Sequence, residues 1–207
     1  MLKSESKQII LSILGISILI IAFVGISYAA FHSVLSGEKN SVATGTISLQ
    51  FSDNSESISI SNAMPISDDE GKSLTGNGNV YDFSVYTILS KNTTINYEIS
   101  LEKININTPN LDNENVRFYL QKQEGDTFVD TPITTVPQSF IPLVEDSFLG
   151  TKKGNMVIFS GTFSNTTDSD RELNQKFRLR IWVGKDTIID SISREFQVKL
   201  NVTAKAI

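Results

Sequence analysis

The sequence contains no cysteine and a single histidine, His32, among its 207 residues. The absence of thiols excludes disulfides, cysteine nucleophiles and every zinc or iron–sulfur site that uses cysteine ligands. One histidine also excludes zinc sites that need two or more, and no HExxH motif occurs. We therefore predict that the protein is not an enzyme and that it binds neither a cofactor nor a metal.

Positive charge is also scarce. Lysine and arginine total 18 against 23 aspartate and glutamate residues, a formal net charge of -5 at pH 7. A nucleic-acid partner would need a basic face, so none is predicted. The hydrophobic content of 40% and aromatic content of 9% are those of a globular domain rather than a disordered chain.

A long apolar run without a charged residue occupies positions 9–31. It is long enough to cross a bilayer, which takes about 20 apolar residues. Lys3 and Lys7 precede it, and cations on that flank keep the N-terminus cytoplasmic. We therefore expect the remainder of the chain to be exported and the run to lie in the membrane before, or without, cleavage.

The end of this run resembles a signal-peptidase site, with Ser27, Tyr28 and Ala29 followed by Ala30 and Phe31. Two alternatives stay open: cleavage after Ala29, which secretes the protein, or retention as a membrane anchor at the cell surface. We divide the chain into residues 1–29 (signal peptide or anchor), 30–43 (an extended segment) and 44–207 (one β-domain).

The exported part shows period-2 alternation of apolar and polar residues in segment after segment, which predicts β-strands. The predicted strands are 44–52, 57–61, 80–89, 94–101, 116–121, 156–163, 177–183 and 196–204. Turn residues separate them, and long helical periodicity is absent. The pattern predicts an all-β fold, an antiparallel two-sheet sandwich.

Several local features refine this prediction. Segment 156–163 is apolar on both faces, which is typical of a central strand, and 168–176 has the character of one or two helical turns. Residues 62–79, 105–115 and 130–155 are predicted loops. Within the last of these, 139–143 is a candidate edge strand, where proline is tolerated.

Two acidic clusters invite a calcium-site interpretation. Asp68, Asp69 and Glu70 are adjacent, however, and lack the alternate-residue spacing of an EF-hand, so a solvated acidic turn is favoured. For Asp168 and Asp170 we favour a helix N-cap role for one of the two.

Trp182 is the candidate binding residue outside the N-terminus. The alternation of 177–183 places it on the outward face of its strand, where an exposed tryptophan could contact a partner or a sugar. The alternative is that the 130–155 loop or the short helix at 168–176 covers it.

The sequence SYAAFHS at 27–33, followed by ATGTISL at 43–49, resembles the TasA/camelysin family of exported biofilm-matrix fibre subunits of Gram-positive bacteria. The pieces NAMPISD at 62–68 and RLRIWV at 178–183 are similar to that family as well. The resemblance implies a jelly-roll-like sandwich. The metalloprotease activity associated with camelysin-type proteins is not carried over, because no recognisable zinc site is present.

The resemblance also implies assembly by strand donation, in which the N-terminal segment of one subunit completes a sheet of the next. That segment would begin near Ala30 or Phe31 and run to about Leu49, and it would include Ile47. Phe31, Val34 and Leu35 could fill pockets of the acceptor. The implied partners are further copies of the same chain, a signal peptidase, and accessory matrix or anchoring proteins.

Three functions follow as hypotheses. The first is an exported structural subunit that polymerises into matrix or surface fibres. The second is a membrane-anchored adhesin or binding module that recognises a polymer or host surface through loops 62–79 and 130–155 and Trp182. The third and weakest is a hydrolase that uses carboxylates not detectable from the sequence.

Overall fold

Two antiparallel β-sheets form the part of the protein that the computed structural model describes, which comprises residues 45–51, 57–61, 63–76, 78–106, 109–132, 135–188 and 194–207. All of these residues belong to one compact unit that spans 40–207. The predicted leader, 1–29, and the predicted extended segment, 30–43, lie outside the described residues. Within the described ranges no helix is long and apolar enough to span a bilayer.

Ten strands and two short helical turns make up the described chain. The strands are β1 (Gly45–Phe51), β2 (Ile58–Ser61), β3 (Val80–Leu89), β4 (Thr93–Lys103), β5 (Val116–Glu124), β6 (Thr127–Asp130), β7 (Gln138–Ser139), β8 (Met156–Asn165), β9 (Arg171–Val183) and β10 (Glu195–Ala206). Helix α1 is Asp68–Lys72, and Asn113–Asn115 form a single 3-10 turn.

The strands divide into a six-stranded sheet and a four-stranded sheet. The first has the order β1-β3-β9-β5-β6, with β7 also paired to β5, and the second has the order β2-β10-β4-β8. From β3 to β5, and again from β8 to β10, consecutive strands lie in opposite sheets, as in a jelly-roll-like sandwich. The predicted all-β, two-sheet antiparallel fold is confirmed.

Alternating side chains of both sheets meet between them and form the core. In β3, Tyr81, Phe83, Val85 and Leu89 are all buried, as their spacing predicts. Aromatic rings connect the two sheets: Phe159 of β8 lies edge-on to Phe177 of β9, with ring centroids 4.9 Å apart. The core is therefore built from the residues that the period-2 pattern assigns to the inner faces.

The prediction that 156–163 is a central strand is wrong, because β8 lies at the end of the four-stranded sheet. A register shift in its pairing with β4 explains the misleading pattern. Ile99 pairs with Phe159 and Ser100 pairs with Val157, so Ile158 has no partner of its own. Ile158 and Phe159 are both buried as a result, and the bulge produces consecutive apolar residues that resemble a two-sided strand.

The prediction of helical turns at 168–176 is also wrong. Strand β9 already begins at Arg171, and the preceding turn is organised by the buried side chain of Asn165. Its Nδ2 donates to the carbonyls of Leu89 and Ser169 at 3.0 and 2.9 Å, and its Oδ1 accepts from the backbone N–H of Thr167 at 3.1 Å. No helix is present in the described chain here for Asp168 or Asp170 to cap.

The long predicted loop 130–155 contains little regular structure. The candidate edge strand at 139–143 is reduced to β7, which comprises two residues paired with β5. Strand β6 was not predicted; its register pairs Thr127 with Glu124 and Asp130 with Gln121 across a tight turn at Gly125. Gly125 has a positive φ of 61°, which suits the left-handed conformation of such a turn.

Candidate assembly edges and outer surfaces

Sheet edges are the features of this sandwich that bear most directly on assembly. An edge strand presents unpaired backbone N–H and C=O groups, and natural proteins protect such edges by making them short, charged or proline-containing. Strands β2, β6 and β7 are short, with four, four and two residues. Strands β1 and β8 are longer, with seven and ten residues. Within the described part of the chain, each of these two pairs on one side only.

Strand β8 lacks two common protections of an edge, charge and proline, although it contains the bulge at Ile158. Its sequence, MVIFSGTFSN, contains neither a charged residue nor a proline over ten positions. Its exposed outward side chains are small and polar: Ser160, Thr162 and Ser164. Thr162 Oγ1 donates to Asn96 Oδ1 of β4 at 2.7 Å, and Ser164 Oγ lies 3.0 Å from Thr94 Oγ1, so these contacts hold the strand to its inner neighbour. Among the described strands, none pairs with the other edge of β8.

Strand β1 contains two of the residues predicted to take part in assembly. Ile47 pairs with Thr87 and Leu49 with Val85 in the antiparallel register with β3. Both side chains are partly buried and pack against the core of their own chain. The structure therefore places Ile47 and Leu49 in the sheet of the same subunit. Phe31, Val34 and Leu35, and the predicted processing residues Ser27, Tyr28, Ala29 and Ala30, lie outside the described residues.

The outer face of the four-stranded sheet is crossed by residues 143–155, which we call the strap. Glu98 of β4 holds it in place, since Glu98 Oε2 accepts hydrogen bonds from Ser147 Oγ at 2.5 Å and from Thr151 Oγ1 at 2.7 Å. Thr151 Oγ1 also lies 3.0 Å from Thr203 Oγ1 of β10. A single carboxylate thus fixes two points of the strap, and hydrogen bonds to a charged acceptor are stronger than neutral ones.

Backbone hydrogen bonds close the strap on itself. The N–H of Leu143 donates to the carbonyl of Asn155 at 2.8 Å, and the N–H of Gly154 donates back to Leu143 at 3.0 Å. Asp146 Oδ1 accepts from the backbone N–H of Lys153 at 2.8 Å, and this bond lowers the pKa of Asp146. The strap is therefore an ordered element without helix or strand.

Large apolar side chains stand exposed on and beside the strap. Ile141, Val144 and Phe148 are 63%, 80% and 81% exposed. Lys205 Nζ of β10 lies 4.1 Å from the centroid of the Phe148 ring. The alternation rules give no signal for these residues because they lie outside the strands. An unusual concentration of apolar residues in a proline-containing loop is the sequence signal that could have identified them.

Trp182 does lie on the outer face of the six-stranded sheet, but only 1% of it is exposed. The expectation of an exposed binding tryptophan is therefore wrong. The covering element is neither the 130–155 loop nor a helix at 168–176; it is α1, from the predicted loop 62–79. Gly71 of α1 packs on the indole so closely that a Cβ at that position would overlap Cε2 and Cδ2 of the ring.

Helix α1 is held by a capping box rather than by a metal ion. Glu70 accepts hydrogen bonds from the backbone N–H and hydroxyl of Ser67 at 2.9 and 2.7 Å, and the Ser67 hydroxyl in turn caps the helix. The bond to the Ser67 side chain is the main reason that the pKa of Glu70 lies below its ordinary value. No group of three metal-ligating side chains occurs among the described residues, and the acidic turn becomes the first turn of this helix.

Two arginines of β9 complete the covered surface beside Trp182. Arg178 forms a two-point ion pair with Asp82, with both distances at 2.7 Å, and this hydrogen bonding raises the arginine pKa. Arg180 is 7% exposed and donates to the carbonyl of Leu74 at 2.9 Å and to Gln121 Oε1 at 2.5 Å. Burial, followed by repulsion from Arg178, lowers the pKa of Arg180.

Tyr119 of β5 extends the same network. Its hydroxyl donates to Asp130 of β6, and the ammonium group of Lys72 lies 5.4 Å from its ring centroid. Burial, and then the neighbouring Asp130 carboxylate, raise the pKa of Tyr119 to about 12. Tyr119, Arg178 and Arg180 therefore use their polar groups in bonds within the molecule, and we interpret this face as stabilising the fold.

A shallow polar depression lies beside α1. Its lining is Ser67, Asp68, Asp69, Arg117, Gly184, Lys185 and Asp186. The Arg117 guanidinium is already engaged, since it donates to the carbonyl of Glu114 and to Ser139 Oγ at 2.6 Å. Three aspartates, Asp68, Asp69 and Asp186, belong to its lining, so the depression is the place to test the hydrolase hypothesis.

No model of a known protein family matches the sequence, and no curated protein matches it either. The structure has distant similarity to the infectious bursal disease virus VP2 subviral particle, at 10% identity and a TM-score of 0.34 over 79% of this chain and 32% of that one. The chain spans about a third of the length of the VP2 structures that it matches.

Two bacterial structures are also similar at this level. The adhesin domain of Epf from Streptococcus pyogenes has 15% identity and a TM-score of 0.28, over 81% of this chain and 48% of that one. The family 32 CBM from C. perfringens NanJ in complex with galactose has 8% identity and a TM-score of 0.22, over 74% and 100%. At TM-scores this low, the similarities identify no function for this chain.

Proposed function

We propose that the protein is an exported, non-enzymatic structural subunit that polymerises at the cell surface or in the extracellular matrix by strand donation. In this proposal, residues 30–43 of one copy pair along the open edge of β8 in the next. The observation that carries it is β8 itself, a ten-residue edge strand without charge or proline. The resemblance of segments 27–33 and 43–49 to fibre subunits supports the same assignment.

The physical basis of strand donation is the pairing of backbone groups. A donated strand satisfies the N–H and C=O groups along the edge, while alternate side chains provide register and specificity. Segment 30–43 is long enough to cover all ten residues of β8 and supplies Phe31, Val34 and Leu35 as apolar contacts. Because β1 already pairs with β3, the donated stretch lies before Gly45.

Truncation of the N-terminal segment tests the proposal. Protein that starts at Ala30 is expected to form filaments visible by electron microscopy, and protein that starts at Ser41 is expected to remain monomeric. The matched control is the circular dichroism spectrum of both proteins, which should show the same β-content. Filaments of the same form from the shorter protein would refute strand donation.

Charge on the acceptor edge provides a second test. The double variant Ser160→Lys and Thr162→Lys should form shorter filaments or none, because charged edge strands resist pairing. Thr127→Lys on the short strand β6 is the matched control, since Thr127 is also exposed at an edge. Equal loss of filaments in both variants would show that added positive charge, rather than the β8 edge, is responsible.

A membrane-anchored adhesin or binding module is the second candidate function. The observation that favours it is the strap, which displays Val144 and Phe148 at 80% and 81% exposure on a backbone fixed by hydrogen bonds. Contiguous patches of exposed apolar side chains mark contact surfaces. Recovery of an intact N-terminus containing Lys3 in the membrane fraction, with surface binding lost in Phe148→Ser, would support this function over the first.

The non-enzymatic part of the proposal has its own test. Replacing Asp68, Asp69 and Asp186 of the polar depression with asparagine should leave any activity on a panel of glycoside and ester substrates at the background level of the unsubstituted protein. Turnover by the unsubstituted protein that is lost in these variants would establish a hydrolase instead.

A further inference from the structure

Lys103 and Asn113 form a hydrogen bond where β4 of the four-stranded sheet ends. Lys103 is the last residue of β4, and Asn113 opens the single 3-10 turn. Lys103 Nζ lies 2.7 Å from Asn113 Oδ1. The amine is therefore next to the side-chain carboxamide of Asn113, ten residues along the chain.

The backbone holds both residues in place. Lys103 is opposite Val198 in the β4–β10 ladder, and the next residue donates its N–H to the carbonyl of Gln197 at 2.9 Å. The carbonyl of Asn113 accepts from the N–H of Phe140 at 3.2 Å, and the turn closes with a 3.0 Å bond from Asn115 N–H to Asp112. Reactants fixed in this way have already lost the freedom that a bimolecular reaction would cost.

The surroundings combine an aromatic ring with a carboxylate. Lys103 Nζ lies 4.7 Å from the centroid of Phe196, a ring that is fully buried in the core. Burial lowers the pKa of Lys103, and the nearby Asp112 carboxylate opposes that shift. A lowered pKa reduces the cost of deprotonating Lys103 to the neutral amine that attack requires, and Asp112 is the carboxylate whose charge acts on that amine.

We propose that Lys103 and Asn113 join through an intramolecular isopeptide bond. The neutral Nζ attacks Cγ of Asn113, the Nζ–Cγ bond forms, and the Cγ–Nδ2 bond breaks. Asp112 accepts a proton from Nζ and delivers it to the departing nitrogen, which leaves as ammonia. The reaction is a transamidation, so it needs neither an oxidant nor a co-reactant.

A cross-link here would close the loop between β4 and the 3-10 turn. Disulfides stabilise many small secreted domains, and this chain has no cysteine to form one. A covalent bond that restricts the unfolded chain would supply part of the same stabilisation. The inference is independent of the fibre proposal, because it concerns a bond within one subunit.

Intact mass and tryptic mapping of the purified full chain test the inference. The cross-linked protein should be lighter than its sequence by one ammonia molecule. Trypsin should also fail to cleave after Lys103, because the ε-amine has become an amide, so a single peptide should cover 92–117. A full sequence mass, with separate peptides 92–103 and 104–117, would overturn the proposal.

Two variants separate the cross-link from simple loss of ammonia by an asparagine. Lys103→Arg should restore the full mass and trypsin cleavage at 103, and Lys199→Arg on β10 should leave the mass deficit unchanged. Persistence of the deficit in Lys103→Arg would identify a cyclised asparagine and refute the isopeptide bond. Asp112→Asn should slow its formation at least tenfold, and an unchanged rate would remove Asp112 from the mechanism.

Discussion

The outer faces of the two sheets are covered in opposite ways. On the six-stranded sheet, α1 lies directly on Trp182, and the aromatic side chain is buried. On the four-stranded sheet, the strap is fixed by hydrogen bonds to Glu98, while its own aromatic residue, Phe148, faces solvent. Helix α1 removes the Trp182 side chain from water, whereas the strap exposes the Phe148 side chain to it.

This difference separates structural from candidate binding surfaces. The sequence pattern places Trp182 on an outer face and gives no special role to Phe148, yet only Phe148 is accessible. Because Gly71 has no side chain, α1 packs directly on the indole of Trp182 and makes it a buried residue. The strap is held by hydrogen bonds to Glu98 instead, and its apolar side chains remain exposed to solvent. The β8 edge and the exposed apolar residues of the strap therefore both belong to the side of the four-stranded sheet.

The largest expected effect is at Gly71. Gly71→Val should destabilise the protein by about 3 kcal/mol, the upper part of the range for overpacking, because the new side chain overlaps the indole ring. Trp182 is the only tryptophan, so its fluorescence reports the cover directly. We expect a red-shifted emission and faster acrylamide quenching. Asp69→Ala, an exposed position in the same helix, is the control and should leave the emission unchanged.

Removal of Glu98 should have the next largest effect. Glu98→Ala leaves the hydroxyls of Ser147 and Thr151 without their shared acceptor and should cost about 2 kcal/mol in urea denaturation. The strap should also become sensitive to limited trypsin cleavage after Lys152 and Lys153. Glu102→Ala, which removes an outward carboxylate of the same strand, should not produce that cleavage. Equal cleavage in both variants would contradict the assigned role of Glu98.

Loss of the helix cap should be smaller and local. Ser67→Ala removes the side chain that caps α1 and should weaken the helix by about 1 kcal/mol. Quenching of Trp182 by acrylamide should increase, while sensitivity of the strap to trypsin stays constant. A simultaneous change in both readouts would show that the two covers are coupled.

The smallest expected effect is a pH dependence of the same helix. The pKa of Glu70 is lowered in the folded state, so its contribution is present above the unfolded-state pKa and is lost as pH falls through the folded-state value, below its ordinary 4.5. Acrylamide quenching of Trp182 should therefore rise at acidic pH. Glu70→Gln should flatten this rise, and an unchanged pH profile in that variant would exclude Glu70 as the titrating group.

Most of the strands were predictable because one face of each is buried, which imposes a period of two. The failures have particular causes. The bulge opposite Ile99 places two consecutive residues of β8 in the core, which alternation alone cannot distinguish from a central strand. The buried turn before β9 depends on Asn165, whose partner Leu89 is 76 residues away in the sequence.

The candidate surfaces were less predictable than the fold. Helix α1 had a readable signal, since Ser67 and Glu70 have the spacing of a capping box. Its position over Trp182 had none, because a glycine reveals nothing about what it packs against. The role of Glu98 likewise depends on partners about fifty residues away, so only the tertiary structure reveals it.

Binding of the isolated donor segment measures the proposed assembly most directly. A synthetic peptide of residues 30–43, titrated into protein that starts at Ser41, should bind one to one and saturate in calorimetry. It should not bind to the same protein that carries the substitutions Ser160→Lys and Thr162→Lys. Absence of peptide binding to the unsubstituted core, while the longer protein still forms filaments, would contradict donation of this segment to β8.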